Sequence, residues 1–373
     1  MPQLLSRLYT RIKSIPRRYV YEIIATIGSL LAVAIAVSLF SPYDTPKQYA
    51  FAEQDTSATV IRATIVTTAS NSIDVKINDG PSKGLTITVP LENMDELKGI
   101  NPGSDILITE SSSTNSLIFL DLYRIPLLIF IISLFIVTVL IVGRRKGLMS
   151  LAGLGASIIV IGWVIIPLII DGYNSLFVSV FGAFVIAIVS ILIAHGFQKR
   201  TYVSLLCVLI VLSFVTAGSI LAVTLLGLTG IVDDAGYYLQ LDHPTIDLSG
   251  ILIGGIVIAA LGALDDIVTT QVATVDELKK ANTTLEKKVL YKKAWSVGAE
   301  HIAALVNTLA LVYVGAALPL IVAYTISTPD SVLLLNSEFV ATEIARIVIV
   351  SIGLVIAVPI STYVAASIFH KNS

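Results

Sequence analysis

Apolar residues run along most of this chain in long unbroken blocks, and in one region only they alternate with polar ones. The blocks begin near residues 21, 124, 148, 175, 202, 249, 296 and 339, and end near 40, 143, 170, 197, 228, 273, 325 and 368. Each is close to the roughly 20 apolar residues a helix needs to cross a bilayer's hydrocarbon core. The pattern therefore predicts an α-helical polytopic membrane protein of about eight transmembrane helices. A basic segment, 1–20, with Arg7, Arg11, Lys13, Arg17 and Arg18, precedes the first block. That block, 21–40, is longer than the roughly 7–15 residues of a secretory h-region. Ser41-Pro42-Tyr43-Asp44 after it offers no small-x-small cleavage site, so the block reads as a retained signal anchor.

Residues 41–122 break the pattern. Short β-branched, alternating runs occur at 58–69, 72–78, 85–89, 105–110 and 116–122. Asn78-Asp79-Gly80-Pro81 and Asn101-Pro102-Gly103 punctuate them as turns. Five short strands between the first and second spans predict a small all-β domain, OB-like or a barrel. It contains no His, no Cys and no glycine-rich phosphate loop. Residues 124–370 then form a seven-helix membrane domain.

Charge sets the expected orientation. Arg144-Arg145-Lys146, Lys199-Arg200, the run Lys279 to Lys293, Lys371 and the basic N-terminus all fall on one side of an eight-span layout. The opposite loops, 171–174, 229–248 and 326–338, hold no Lys or Arg. Basic loops stay cytoplasmic. Both termini are thus expected in the cytoplasm of a plasma or inner membrane, with the β domain outside. The basic stretch 276–293 fits either a short helix lying on the membrane or a solvated loop that fixes topology.

Composition agrees and excludes alternatives. The chain is 55% hydrophobic and 13% charged, against about 25% charged in soluble domains. A net charge of −2 gives no electrostatic case for nucleic acid. A single cysteine, Cys207, rules out a disulfide framework and a cysteine-based metal site. The four histidines do not cluster at ligand spacing, no cofactor motif is present, and the sequence does not identify a metal. The absence of a Walker motif argues against ATP-driven transport by this chain alone.

Candidate chemistry lies in polar groups inside the spans, where ionisable residues mark function by default. In the sixth span Asp265 and Asp266 precede Asp276 by about ten residues, or roughly 15 Å at 1.5 Å per residue, near a midplane. Gly262, Asp265, Asp266 and Thr269 share a face, with Gln271 off it. In the seventh span Glu300 and Asn307 lie on one stripe, Asn307 at a depth close to that of Asp265. In the eighth, Glu343 and Arg346 stand at i,i+3, and Arg346 either pairs with Glu343 or faces the carboxylates. His195 reads as an interface anchor, and His301 as a packed or interfacial residue. Interhelical glue is the competing reading for all of these positions.

Three segments resemble the YibE/F-like family of bacterial membrane proteins: Leu261 to Gln271 (LGALDDIVTTQ), His301 to Leu320 (HIAALVNTLALVYVGAALPL) and Ile344 to Thr362 (IARIVIVSIGLVIAVPIST). The layout of one span, a β domain and several further spans is similar too. The family pattern has Arg before the acidic-His pair and Gly before Ser-Ile-Gly; here those positions are Ala299 and Val350. The resemblance implies a permease-like membrane protein and carries no established activity; the chain is not expected to be an enzyme.

The leading expectation is a transporter, for cations or coupled to protons, with Asp265, Asp266, Thr269, Asn307, Glu300 and Arg346 along the path. Asp265 and Asp266 would bind the cation or exchange the proton, and neutral oxygens from Thr269 and Asn307 would suit hard cations. The alternative is a scaffold whose outer β domain binds a protein partner. An intramembrane enzyme comes third, since an aspartyl protease needs two aspartates facing each other from separate elements. The expected partners are the lipid bilayer, a small solute or an extracytoplasmic protein, and a second copy packed through the glycine-rich sixth span.

Overall fold

The computed structural model describes residues 60–69, 72–80, 82–91, 101–110, 117–327 and 330–370. The expected basic segment 1–20 and signal anchor 21–40 lie outside the described residues. The chain divides into two compact units, 1–144 and 145–373.

The first unit carries five strands: β1 (Val60–Thr68), β2 (Ser72–Ile77), β3 (Thr86–Pro90), β4 (Asp105–Glu110) and β5 (Leu117–Leu122). They form one antiparallel sheet in the order β3-β2-β1-β4-β5. Alternation sends one side chain in two inward. Ala63, Ile65, Ile73, Val75, Val89, Ile106 and Ile108 make the core, with Leu117, Phe119 and Leu122 packed on it. Register shifts at Ile65/Thr67 and Leu107/Ile108 bend the sheet. The edge strands β3 and β5 curl towards each other, giving a half-barrel.

Polar cross-strand rows hold the outer face. Asp74 on β2 accepts hydroxyl hydrogens from Thr67 on β1 at 2.6 Å and Thr88 on β3 at 2.7 Å. Asp105 accepts from Thr64 at 2.5 Å, and Arg62 pairs with Asp79 at 3.1 Å.

Six helices among the described residues are long and apolar enough to cross a membrane. They are α1 (Ile125–Ile170), α2 (Ser175–His195), α3 (Lys199–Leu226), α5 (Leu248–Ala281), α6 (Lys287–Ser327) and α8 (Glu338–His370). Two short helices, α4 (Asp234–Asp242) and α7 (Ser331–Asn336), sit in the connections. The pattern predicted seven spans over this stretch. The difference is one of counting in α1, where the expected spans 124–143 and 148–170 run on across a kink as one 46-residue element. Its helical backbone is broken at Arg144, with φ 49° and ψ −129°. Such a conformation in a non-glycine residue costs on the order of 1–3 kcal/mol.

In the second unit α5 is the central helix, packed on α2, α3, α6 and α8. Small residues allow the close approach. A Cβ on Gly254 would lie 2.1 Å from Ser179 Cβ of α2, and one on Gly353 of α8 would lie 2.5 Å from Val215 Cγ2 of α3. These contacts give Gly250 and Gly254 of the sixth expected span to α2 of the same chain.

The segment 276–293 is neither a separate surface helix nor a long loop. Helix α5 continues to Ala281 and α6 begins at Lys287, so only five residues connect them. The Lys279 ammonium donates to the Thr283 carbonyl at 2.6 Å and the Leu285 carbonyl at 3.3 Å, which satisfies carbonyls in that connection.

Candidate functional site

Asp265 is the most unusual polar group in the helical unit. One of its carboxylate oxygens is shielded from solvent and has no hydrogen-bond partner. That same oxygen, Oδ1, lies 3.7 Å from Nε2 of His195, the last residue of α2. The gap is longer than a hydrogen bond and short enough for an ion pair. Helices α2 and α5 run side by side in the same direction, Leu176 beside Gly250, Ser179 beside Gly254, and His195 beside Asp265.

Counting back from Asp276 put Asp265 near a midplane. The structure sets it level with the C-terminal end of α2, followed closely by Lys199-Arg200 at the start of α3. Asp266, one position round the helix, is exposed on the open face of α5. The adjacent carboxylates therefore meet different surroundings.

The other expected site residues do not converge on this pair. Thr269 donates its hydroxyl to the carbonyl of Asp265 in its own helix at 2.7 Å. Glu300 and Asn307 are exposed on α6. Among the described residues, no hydrogen bond or ion pair links either of them to Asp265 or Asp266. Arg346 pairs with Glu343 at 2.7 Å and lies 5.8 Å from the Tyr313 ring centre, so its charge is used within α8 and against α6. Among the described residues, no group of three or more His, Cys, Asp or Glu side chains is placed to hold a metal ion.

Two residues have partners that the sequence does not show. His195 lies 70 positions before Asp265, a separation no local spacing rule connects. Gln271, read as off the working face, is 2% exposed and occupies the junction of three helices. Its Nε2 donates to the Ala294 carbonyl of α6 at 2.9 Å and to Thr362 Oγ1 of α8 at 2.7 Å. Gly298 of α6 makes room for it: a Cβ there would lie 2.9 Å from Gln271 Oε1 and 2.5 Å from Val358 Cγ1.

An apolar groove of about 390 Å³ runs between α6 and α8, lined by Val306, Ile347, Val348, Ile352 and Val355. Ser351 is its polar member, and its hydroxyl is buried without a partner.

The six long apolar helices among the described residues define a multi-span membrane protein. The family profile for YibE/F-like protein matches residues 131–371, more than half of the chain, and the chain belongs to that family. The match runs from within α1 through α8 and so contains Asp265, His195 and Gln271. No curated protein and no solved structure matches this chain.

Proposed function

We propose that this YibE/F-like protein is a permease that moves cations or protons, with Asp265 as the exchanging group and His195 as its counter-group. One observation carries the reading: a buried carboxylate oxygen with no hydrogen-bond partner, 3.7 Å from an imidazole nitrogen. An ionisable side chain inside a span, with one oxygen shielded and an imidazole beside it, is the kind of group that marks an ion or proton path. Asp266 extends the acidic surface on the open side of α5. Glu300 and Asn307 are assigned to a separate face of α6, and Arg346 to its pair with Glu343. The reading is of a carrier rather than an enzyme.

The proposal includes a topology. With the block 21–40 as a first span and α1 crossing twice about Arg144, the chain has eight spans and both termini in the cytoplasm. The half-barrel then lies outside. Its order β3-β2-β1-β4-β5, with β3 and β5 facing each other, is the order of an OB barrel opened between those two strands.

The test is cation and pH flux in proteoliposomes over a panel of mono- and divalent cations, comparing wild type with Asp265→Asn at equal folded content. Flux that falls at least ten-fold in the variant supports the proposal. Equal flux in both removes Asp265 from the path.

A second reading, a scaffold with the half-barrel engaging a protein partner, is favoured by the Gln271 junction, where a polar side chain serves helix packing. It expects Asp265→Asn to alter stability alone, and deletion of 45–120 to abolish function.

A further inference from the structure

Helix α6 is the least covered of the spans in the second unit. In its most apolar stretch only 6% of residues are buried, against 56% in α5. The buried side, with Ala294, Gly298, Ile302, Leu305, Leu309 and Ala317, packs on the core. Away from that side lie Glu300 and Asn307, with His301 and Thr308 beside them, all exposed. The stretch 125–143 of α1 is also largely exposed, but it contains no ionisable residue and suits lipid tails. The exposed face of α6 does not, because charged and amide groups in a span turn to protein or water.

The face has a regular seam. Val297, His301, Ala304, Thr308, Leu311, Gly315 and Leu318 are all exposed and follow one another at alternating intervals of four and three. That is the repeat of a coiled-coil contact line, with His301, Thr308 and Gly315 at one core position and the other four at the second. Three of the seven, Ala304, Thr308 and Gly315, are small enough for close helix approach.

We infer that a second copy of this chain covers the seam, α6 against α6 about a two-fold axis along the membrane normal. The charges choose this occupant. In such a pair His301 inserts into a hole bounded by the partner copy's positions 297, 300, 301 and 304. Each imidazole then meets the other copy's Glu300 at the same depth, and the symmetry makes the contact twice. Asn307 flanks Thr308 of the other copy in the next layer and supplies amide hydrogen bonds across the interface. On α5, Gly250 and Gly254 are taken by α2 while Gly255 and Gly262 stay open; α6 is chosen because its exposed face carries the paired charges. The inference is independent of transport.

Cysteine cross-linking in native membranes tests it on the full chain, with the buried Cys207 as the wild-type blank. Ala304→Cys, Thr308→Cys and Leu311→Cys are expected to give disulfide-linked dimers at ten-fold or higher yield than the core-facing Leu305→Cys and Leu309→Cys. Glu300→Gln is expected to cut the Thr308→Cys dimer yield several-fold, and exchanging the two groups (Glu300→His with His301→Glu) to restore it. A flat yield along α6 would overturn the inference. So would an efficient link within one chain between Thr308→Cys and a cysteine placed in 21–40, which would show another part of the same chain covering the seam.

Discussion

Gln271 donates its side-chain amide to the hydroxyl of Thr362 at 2.7 Å, joining α5 to α8 across 91 positions of sequence. The same amide donates to the Ala294 carbonyl, so three of the six long helices meet at one side chain. Thr362 also donates to Val358 of its own helix at 2.6 Å, leaving its oxygen to accept from Gln271.

Replacing Gln271 with Leu keeps the volume and removes both bonds. Interhelical hydrogen bonds in membrane proteins are worth about 0.6–1.7 kcal/mol. Gln271→Leu should therefore lower unfolding stability in mild detergent by about that much, with Thr362→Val costing less because the Ala294 bond remains. Gln271→Glu, which buries a charge, should cost more than either. Thermal unfolding of the purified protein checks the order.

Gly298 gives a sharper steric test. The Cβ of Gly298→Ala would meet Val358 Cγ1 at 2.5 Å and the Gln271 amide at 2.9–3.0 Å. Overpacking of this kind costs about 1–3 kcal/mol. Gly255→Ala on α5 meets nothing within 4 Å and should be neutral or slightly stabilising. Equal stability of the two variants would contradict the packing described here.

The half-barrel predicts a pH dependence. The Thr67 and Thr88 hydroxyls hold the Asp74 carboxyl below the usual carboxylate range. A folded-state value lowered in this way stabilises the domain above the unfolded value, and the contribution fades as pH falls through the folded one. Carbon-detected NMR titration of the labelled full chain should show Asp74 protonating below the ordinary range. Thr67→Val and Thr88→Val should each move the midpoint up. A midpoint unchanged by both would show that the row Thr67–Asp74–Thr88 does not act on the carboxylate.

Much of this fold is legible in the sequence, for a reason of solvent. A bilayer demands runs of about 20 apolar residues, and every run in 124–370 falls in a long helix. The five strands are legible because half of each β1–β4 surface is core, as in Ile73, Val75 and Ile77. Arg144-Arg145-Lys146 reads as the break between two spans, and the structure has its non-helical residue, Arg144, at that place. Grouping Gly262, Asp265, Asp266 and Thr269 on a shared face hid Gln271, whose own side of α5 is the packed one. The partner of Asp265 sits at the end of another helix, and only folding brings His195 to it.

The account centres on Asp265 and His195 acting together, and one experiment addresses that directly: cation-coupled proton flux in proteoliposomes for Asp265→Asn, His195→Gln and the double variant, at matched folded content. Each single variant is expected to lose at least ten-fold in flux, and the double variant to lose no more than the worse single, as two groups on one path require. Wild-type flux in Asp265→Asn, or losses in the two singles that multiply in the double, would contradict it.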